Sequence, residues 1–232
     1  VCGRYTLATP SPAEVRARFP IGESVAVARR YNIAPGDDVL ALTTDRHGVP
    51  RGELLRWGLV PSWAAVPDPR LRMINARIET VSERPAFRRP FGRFRCLIIA
   101  DGFYEWRRRP GAAGQAFHIT TREGSLFAFA GLWSVWKGPD GTALRSCAIL
   151  TRPARGAVAS LHDRMPVILA PEVERAWVDP ATPRDRLLEL LRASEGLAMA
   201  AVPVGPAVND ARHDGPDCLT PAPEAARPAT LF

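Results

Sequence analysis

Four polar residues stand among neighbours that ordinary surface chemistry does not call for. Cys2 opens the chain in Val1-Cys2-Gly3-Arg4, and Asn75 interrupts Met73-Ile74-Asn75-Ala76-Arg77. Glu105 lies between Tyr104 and Trp106, and His162 lies in Leu161-His162-Asp163-Arg164-Met165-Pro166. A Cys whose own nitrogen is free is a 1,2-aminothiol. Its α-amine, with a pKa of about 7.7–8.0, is partly neutral near pH 7 and attacks aldehydes. The adjacent thiol then adds to the imine and closes a five-membered thiazolidine, an intramolecular step favoured by proximity. Glu and His are suited to the proton transfers involved, and Asn can orient an amine or a phosphate. Each residue also has a plainer reading. Cys2 can be a frayed end, Asn75 a turn or cap residue, Glu105 a solvated strand residue paired with Arg107, and His162 a satisfied loop or core histidine.

The charge balance suggests a partner. Across 232 residues, 31 Lys and Arg face 24 Asp and Glu, a net charge of +7, which suits a polyanion such as nucleic acid. Lys137 is the only Lys, and Ala and Pro are abundant, so GC-rich codon usage accounts for part of the Arg excess. The distribution says more than the total. Between Arg70 and Arg95 there are eight Arg but only Glu79 and Glu83 as acids, and Arg107, Arg108 and Arg109 follow. Such clustering predicts a positive surface. Trp57 and Trp63 flank a Gly/Pro-rich bend. We assign Trp57 to the core and Trp63 to the surface, where an aromatic ring among arginines stacks on unpaired bases at about 1–3 kcal/mol per base.

The elements that must position these residues read as a single α+β domain over 1–219, with 220–232 as a mobile Pro/Ala-rich tail. Ser11-Pro12-Ala13-Glu14 predicts a capped helix running to about Phe19. Val39–Leu42, Glu53–Trp57, Cys96–Ala100, Phe117–Thr120, Leu126–Trp133 and Ser146–Thr151 read as strands. Asp101-Gly102 reads as a tight turn joining the strands on either side into a hairpin-like unit. Pro171–Trp177 and a segment capped by Thr182-Pro183 read as helices, and Met199–Val204 as a late strand. Cys2, Cys96, Cys147 and Cys218 form no C-x-x-C pair, so neither a zinc ribbon nor a disulfide framework is expected. Cys218 carries no legible role. No apolar run reaches the ~18–20 residues of a membrane span, and no secretory pattern opens the chain. A cytoplasmic monomer without membrane attachment, metal or cofactor is the expectation.

The motifs taken together resemble the SRAP (SOS response-associated peptidase) family of abasic-site processing proteins. CGRYTL at 2–7, YNIAPG at 31–36, RWGLVPSWA at 56–64 and INARIETVSERPAFR at 74–88 carry the resemblance, with RCLIIADGFYEWR at 95–107. FAGLW at 129–133, ILTRPA at 149–154, LHDRMPVIL at 161–169 and VPVGPAVND at 202–210 continue it in family order. So many ordered motifs are far more specific than one short pattern. The resemblance implies a strongly twisted, barrel-like, mainly antiparallel β core with short flanking helices. It implies a role in DNA damage and repair, with single-stranded DNA containing abasic sites as partner and a covalent protein–DNA crosslink through Cys2.

By the same resemblance Asn75, Glu105 and His162 join Cys2 as catalytic residues. Arg4, Arg77, Arg84 and Arg164 would contact DNA phosphates, and Trp63 would stack on a base. Some members carry a second Trp where this chain has Ala64. Lyase-type cleavage by β-elimination and self-cleavage before Cys2 also follow from the family. The chemistry needs the Cys2 amine free, so Val1 is expected to stand for an initiator, read from a GTG codon, that is removed. Two alternatives stay open at this point. One is a cysteine peptidase using Cys2 and His162, the other a non-catalytic reader of modified DNA.

Overall fold

Runs of β-branched and aromatic residues, punctuated by Gly, Pro and Asp, set a chain dominated by strands. A computed structural model describes residues 2–8, 11–66, 73–109, 112–194 and 197–222. In chain order the first elements are β1 (Tyr5–Leu7), α1 (Pro12–Arg18), β2 (Arg30–Ile33), β3 (Asp38–Thr44), β4 (Pro50–Trp57) and β5 (Asn75–Arg77). Then come α2 (Pro85–Arg93), β6 (Arg95–Ala100), β7 (Gly102–Arg109), β8 (Ala112–Thr121), β9 (Phe127–Lys137) and β10 (Ala143–Pro153). The chain continues through α3 (Gly156–Ala159), β11 (Arg164–Pro166), β12 (Ile168–Leu169), α4 (Pro171–Val178), α5 (Arg184–Ala193) and β13 (Met199–Pro203).

The architecture is α+β with a barrel-like core, as the sequence predicts. Strands β10, β4, β3, β6 and β9 are hydrogen-bonded in that order, and β9 pairs back onto β10, closing a ring. Closure leaves these five strands without an open edge. The β4–β10 contact is parallel and the other four are antiparallel. β5 and β11 continue along the far end of β10, and β12 pairs with β9. A second, antiparallel sheet runs β13–β8–β7–β1–β2. It packs on the barrel through aromatic rings. Tyr5 meets Trp57 and Phe129 edge-on at 5.4 and 5.6 Å between centroids, and Phe103 meets Phe129 at 6.1 Å. Each such pair contributes about 0.5–1.5 kcal/mol beyond its buried area.

The helices brace the barrel. α1 is held by the predicted capping box: the Ser11 hydroxyl accepts the Glu14 amide, and the Glu14 carboxylate accepts the Ser11 amide. Thr182 does not cap α5 as expected. Pro183 is the N-cap, and the Thr182 hydroxyl donates to the Ala176 carbonyl of α4 instead. Arg95 is fully enclosed and donates to the carbonyls of Phe91, Trp177 and Asp179, at the ends of α2 and α4. A cation suits helix C-termini, where unpaired carbonyls gather. Burial lowers its pKa to about 10.

Asp101-Gly102 is not a hairpin turn. β6 belongs to the barrel and β7 to the second sheet, so the dipeptide is where the chain changes sheets. Asp101 accepts the Thr6 hydroxyl at 2.6 Å and the Ala8 amide at 2.9 Å, tying β1 to the crossover. Gly102 is required for space. A Cβ there would stand 2.2 Å from His118 Nε2 and 2.8 Å from Thr6 Oγ1. The tail expectation also shifts. Val204 bridges to Pro221, and Ala222 donates to the Pro203 carbonyl, so the chain is paired through Ala222. Residues 223–232 lie outside the described residues, as does Val1. Cys218 is buried with Tyr104, Ala116, Val204 and Val208 in a small core of its own.

Replacing Gly102 by Ala is expected to destabilise the protein by about 2–3 kcal/mol, at the upper end of overpacking costs. Urea denaturation reads this directly, and a wild-type midpoint would contradict the close approach of β7, His118 and Thr6.

Candidate active site

The register of the second sheet delivers the start of the chain to Glu105. β1 and β7 pair Tyr5 with Phe103 and Thr6 with Gly102, and the Tyr104 amide donating to the Arg4 carbonyl extends the ladder. Carried further, this register sets Gly3 opposite Glu105 and leaves Cys2 one residue beyond, within reach of the Glu105 side chain. The Cys2 backbone N–H donates to Glu105 Oε1 at 2.6 Å, with Cys2 0% and Glu105 3% exposed. Asn75 arrives from the barrel side. β5 pairs with β10 through Asn75 and Ile149, and Asn75 Nδ2 donates to the Cys2 carbonyl at 3.3 Å. The two sheets thus grip residue 2 at both ends, one on its nitrogen and one on its carbonyl. Burial, followed by the Glu105 charge, pushes the Cys2 thiol well above its ordinary pKa, so the sulfur is held as a neutral thiol.

His162 occupies the turn between α3 and β11. Its Nδ1 lies 3.0 Å from the Arg164 amide and 2.6 Å from Asp163 Oδ1. One nitrogen satisfies only one of these at a time: it accepts from the amide when bare and donates to the carboxylate when it carries a proton. Both contacts lie within its own loop.

The predicted DNA contacts sort into two groups. Trp63, at 67% exposure, is displayed by a turn whose Ala64 carbonyl accepts from Trp136 Nε1 at 2.7 Å. It lines a cavity of about 420 Å3 with Met73, Asn75, Arg77, Arg84 and Phe87. One concavity therefore collects Trp63, Asn75, Arg77 and Arg84, and Asn75 links it to Cys2. Arg77 and Arg84 are exposed and form no salt bridge among the described residues. Arg4 and Arg164 are differently placed. Arg4 donates to Asn32 Oδ1 and the Val208 carbonyl, both at 2.9 Å, and its guanidinium lies 5.7 Å from the Trp106 ring centre. Burial lowers its pKa. Arg164 is largely buried and holds Glu79 with two bonds, at 2.7 and 3.0 Å, while also donating to the Thr151 carbonyl. The Arg164 guanidinium holds the Glu79 carboxyl below its usual range. Arg164, expected to clamp phosphate, is instead engaged by the protein itself.

Sequence reasoning missed Asn32, which receives Arg4, and Met73 and Phe87, which floor the cavity. Asn32 lies inside the YNIAPG motif and was legible as a buried polar residue in a strand; nothing in the pattern marked the other two. Arg70 and Arg72 lie outside the described residues, and so do the side chains of Arg108 and Arg109. Among the described residues, one group of metal-type donors converges: His213, Asp217 and Cys218, within 4.8 Å of one another. None of Cys2, Asn75, Glu105 or His162 belongs to it.

With this geometry established, comparison with known proteins gives a consistent answer. The family model for SOS response associated peptidase (SRAP) matches residues 1–211. This chain belongs to the SRAP family. Among its relatives, the abasic site processing protein YoqW of Bacillus subtilis (strain 168) is 37% identical over 223 residues, covering 94% of this chain and 99% of that protein. YoaM of the same organism, also called an abasic site processing protein, is 38% identical over 225 residues, covering 94% and 97%. The mouse abasic site processing protein HMCES is 32% identical, covering 72% of this chain and 56% of its own length. Among solved structures, a phage-related protein from Bordetella bronchiseptica is 35% identical with a TM-score of 0.69, covering 88% of this chain and 94% of its own. A Bacteroides thetaiotaomicron protein, 22% identical, shares the fold with a TM-score of 0.82, covering 96% and 100%.

The buried polar tie behind the site makes this SRAP fold sensitive to acid. His118 Nε2 lies 3.1 Å from the Thr6 hydroxyl, and burial lowers the His118 pKa to about 4, with Asp101 opposing. Above pH 6.5 both folded and unfolded states hold it neutral. Between pH 6.5 and 4 the unfolded chain takes up a proton that the folded protein refuses, so stability falls as pH falls. The loss attributable to His118 is expected to be about 2–3 kcal/mol at pH 4.5. Denaturation of wild type and His118→Gln at pH 7 and 4.5 separates this share. An identical pH dependence in both would refute it.

Proposed function

We propose that this chain captures abasic sites in single-stranded DNA by a covalent bond through Cys2. The observation that carries the reading is the 2.6 Å contact between the Cys2 nitrogen and the buried Glu105 carboxylate. Beside it lies a cavity that offers Trp63 for stacking and Arg77 and Arg84 for phosphate. The names of the relatives, abasic site processing proteins, point the same way.

The chemistry follows from the placement. Once residue 1 is removed, the nitrogen on Glu105 becomes an α-amine. Glu105 accepts its excess proton, leaving the lone pair to attack the C1′ aldehyde of the ring-opened sugar. The protonated carboxyl then returns a proton to the carbinolamine hydroxyl, which leaves as water and gives an imine. The Cys2 thiol adds to the imine carbon, its proton passes to the nitrogen, and the thiazolidine closes. Asn75 fixes the Cys2 carbonyl so that amine and thiol present together. A neutral thiol leaves the first attack on the aldehyde to the amine and gives up its proton only as the sulfur adds to the imine. His162, two residues before β11, is a candidate partner for the sugar hydroxyl. If β-elimination overtakes ring closure, the imine drives strand cleavage of lyase type.

Self-processing before Cys2 has an observation of its own. The carboxylate that receives the Cys2 amide is placed, when protonated, to protonate that nitrogen as a leaving amine. Thiol addition to the carbonyl of residue 1 would transfer the acyl group to sulfur, and water would release it.

A single-stranded oligonucleotide with one abasic site, mixed with processed protein and denatured, is expected to give a band of lower mobility. Cys2→Ala should remove it. Cys2→Ser should leave only an imine trapped by borohydride. Glu105→Gln should slow band formation by about 100-fold. A full-rate band in Cys2→Ala would sink the proposal, and so would no band from protein whose mass shows Cys2 at the terminus.

A further inference from the structure

We infer that the DNA path continues past Trp63 into a second nucleotide subsite, built by α2 and the end of β9. A separate cavity of about 420 Å3 opens there, lined by Arg89, Lys137, Phe94 and Ser134. This size falls within the ~300–1,000 Å3 of small-ligand sites. Trp63, Pro85 and Ala86 line both this cavity and the one holding Asn75, Arg77 and Arg84. They form a shared wall with an exposed indole on its crest. Arg84 and Arg89 lie one on each side of the wall, at the start and middle of the same helix.

The lining chemistry is that of a nucleotide unit. Arg89 and Lys137 are exposed, and no carboxylate among the described residues lines the cavity. Arg145 and Arg56, also exposed on the barrel strands, are by contrast paired with Glu53 and Asp38. Two cations without an acid between them favour a phosphodiester. Phe94 lies beneath, packed edge-on against Trp133 at 4.9 Å, with Arg89 5.7 Å from its ring centre. The apolar floor and the Trp63 edge suit a base. Lys137, the sole Lys of the chain, falls at the last position of β9, outside every segment that carries the family resemblance. A strand whose lesion lies by Cys2 and whose backbone passes Arg77 and Arg84 would therefore place a flanking nucleotide across Trp63.

This inference rests on the reading that DNA occupies the Asn75–Arg84 cavity, so its test uses binding and not crosslinking. The probe is a single-stranded oligonucleotide bearing a tetrahydrofuran abasic analogue, which forms no imine. Three versions are compared: one extended on both sides of the analogue, one only on the 5′ side and one only on the 3′ side. Affinity is followed by fluorescence anisotropy across a salt series. The Arg89→Ala, Lys137→Ala double variant is expected to bind the fully extended oligonucleotide at least tenfold more weakly. Its log–log salt slope should be shallower by about 1.4, two phosphates at about 0.7 each. One single-sided oligonucleotide should show the same loss and the other none. An Arg186→Ala, Arg192→Ala double variant, outside both cavities and removing the same two charges, controls for net charge. An equal loss on both single-sided oligonucleotides, or no loss on any, would overturn the subsite. Failure of the covalent reading would appear separately, as an absent band with a natural abasic site while binding persists.

Discussion

Ordering each residue costs about 1–2 kcal/mol of backbone entropy, and a residue outside the regular strands readily stays loose. In this protein the second residue is instead enclosed, with its amide on the Glu105 carboxylate. That contact is what the surrounding structure serves. A buried carboxylate needs donors to remain charged, and the Cys2 N–H is one of them. The β1–β7 ladder fixes the approach, Asp101 pins Thr6 and Ala8 beyond it, and Asn75 closes on the carbonyl from the opposite sheet. Loss of register by one residue would turn Cys2 to the other face of the sheet. The second sheet is therefore the means by which residue 2 is enclosed like a residue of a core strand.

The electrostatics divide the arginines into two populations that composition cannot separate. Arg4, Arg95 and Arg164 face inward and saturate carbonyls, an amide oxygen and a carboxylate. Arg77, Arg84 and Arg89 face outward along adjoining hollows. A count of basic residues credits both groups to a polyanion. The outward group offers charge that solvent reaches freely, so the net charge of +7 says less about the site than the placement of these three residues. A phosphate role for Arg164 would require it to exchange Glu79 first.

Much of the fold was legible in local signals. The capping box of α1, the buried runs at Cys96–Ala100 and Ser146–Thr151, and the core and surface assignments of Trp57 and Trp63 all follow from short-range chemistry. What escaped was long-range. Asp-Gly is the signature of a tight hairpin, yet Gly102 is there because His118 and Thr6, 16 and 96 residues away, leave no room for a Cβ. Thr182 looked like a helix cap and turned to a carbonyl of the preceding helix. At the site, the convergence of Cys2, Asn75 and Glu105 came from ordered motifs, since no periodicity links residues 2, 75 and 105. The partners of Arg4 and Arg164 were invisible because pairing with Asn32 or Glu79 depends on which strands become neighbours.

The aromatic layer between the sheets has a further meaning. Glu105 is carried by the second sheet and Asn75 by the barrel, so the gap that admits residue 2 is a spacing between two bodies. Tyr5 and Phe103 against Trp57 and Phe129 set that spacing from within. The layer works as the fixed jaw of a caliper, with the Cys2 nitrogen at the measured opening. The separation of the two groups that grip residue 2 is in this way set by ring packing in the interior, at positions outside the polar contacts themselves.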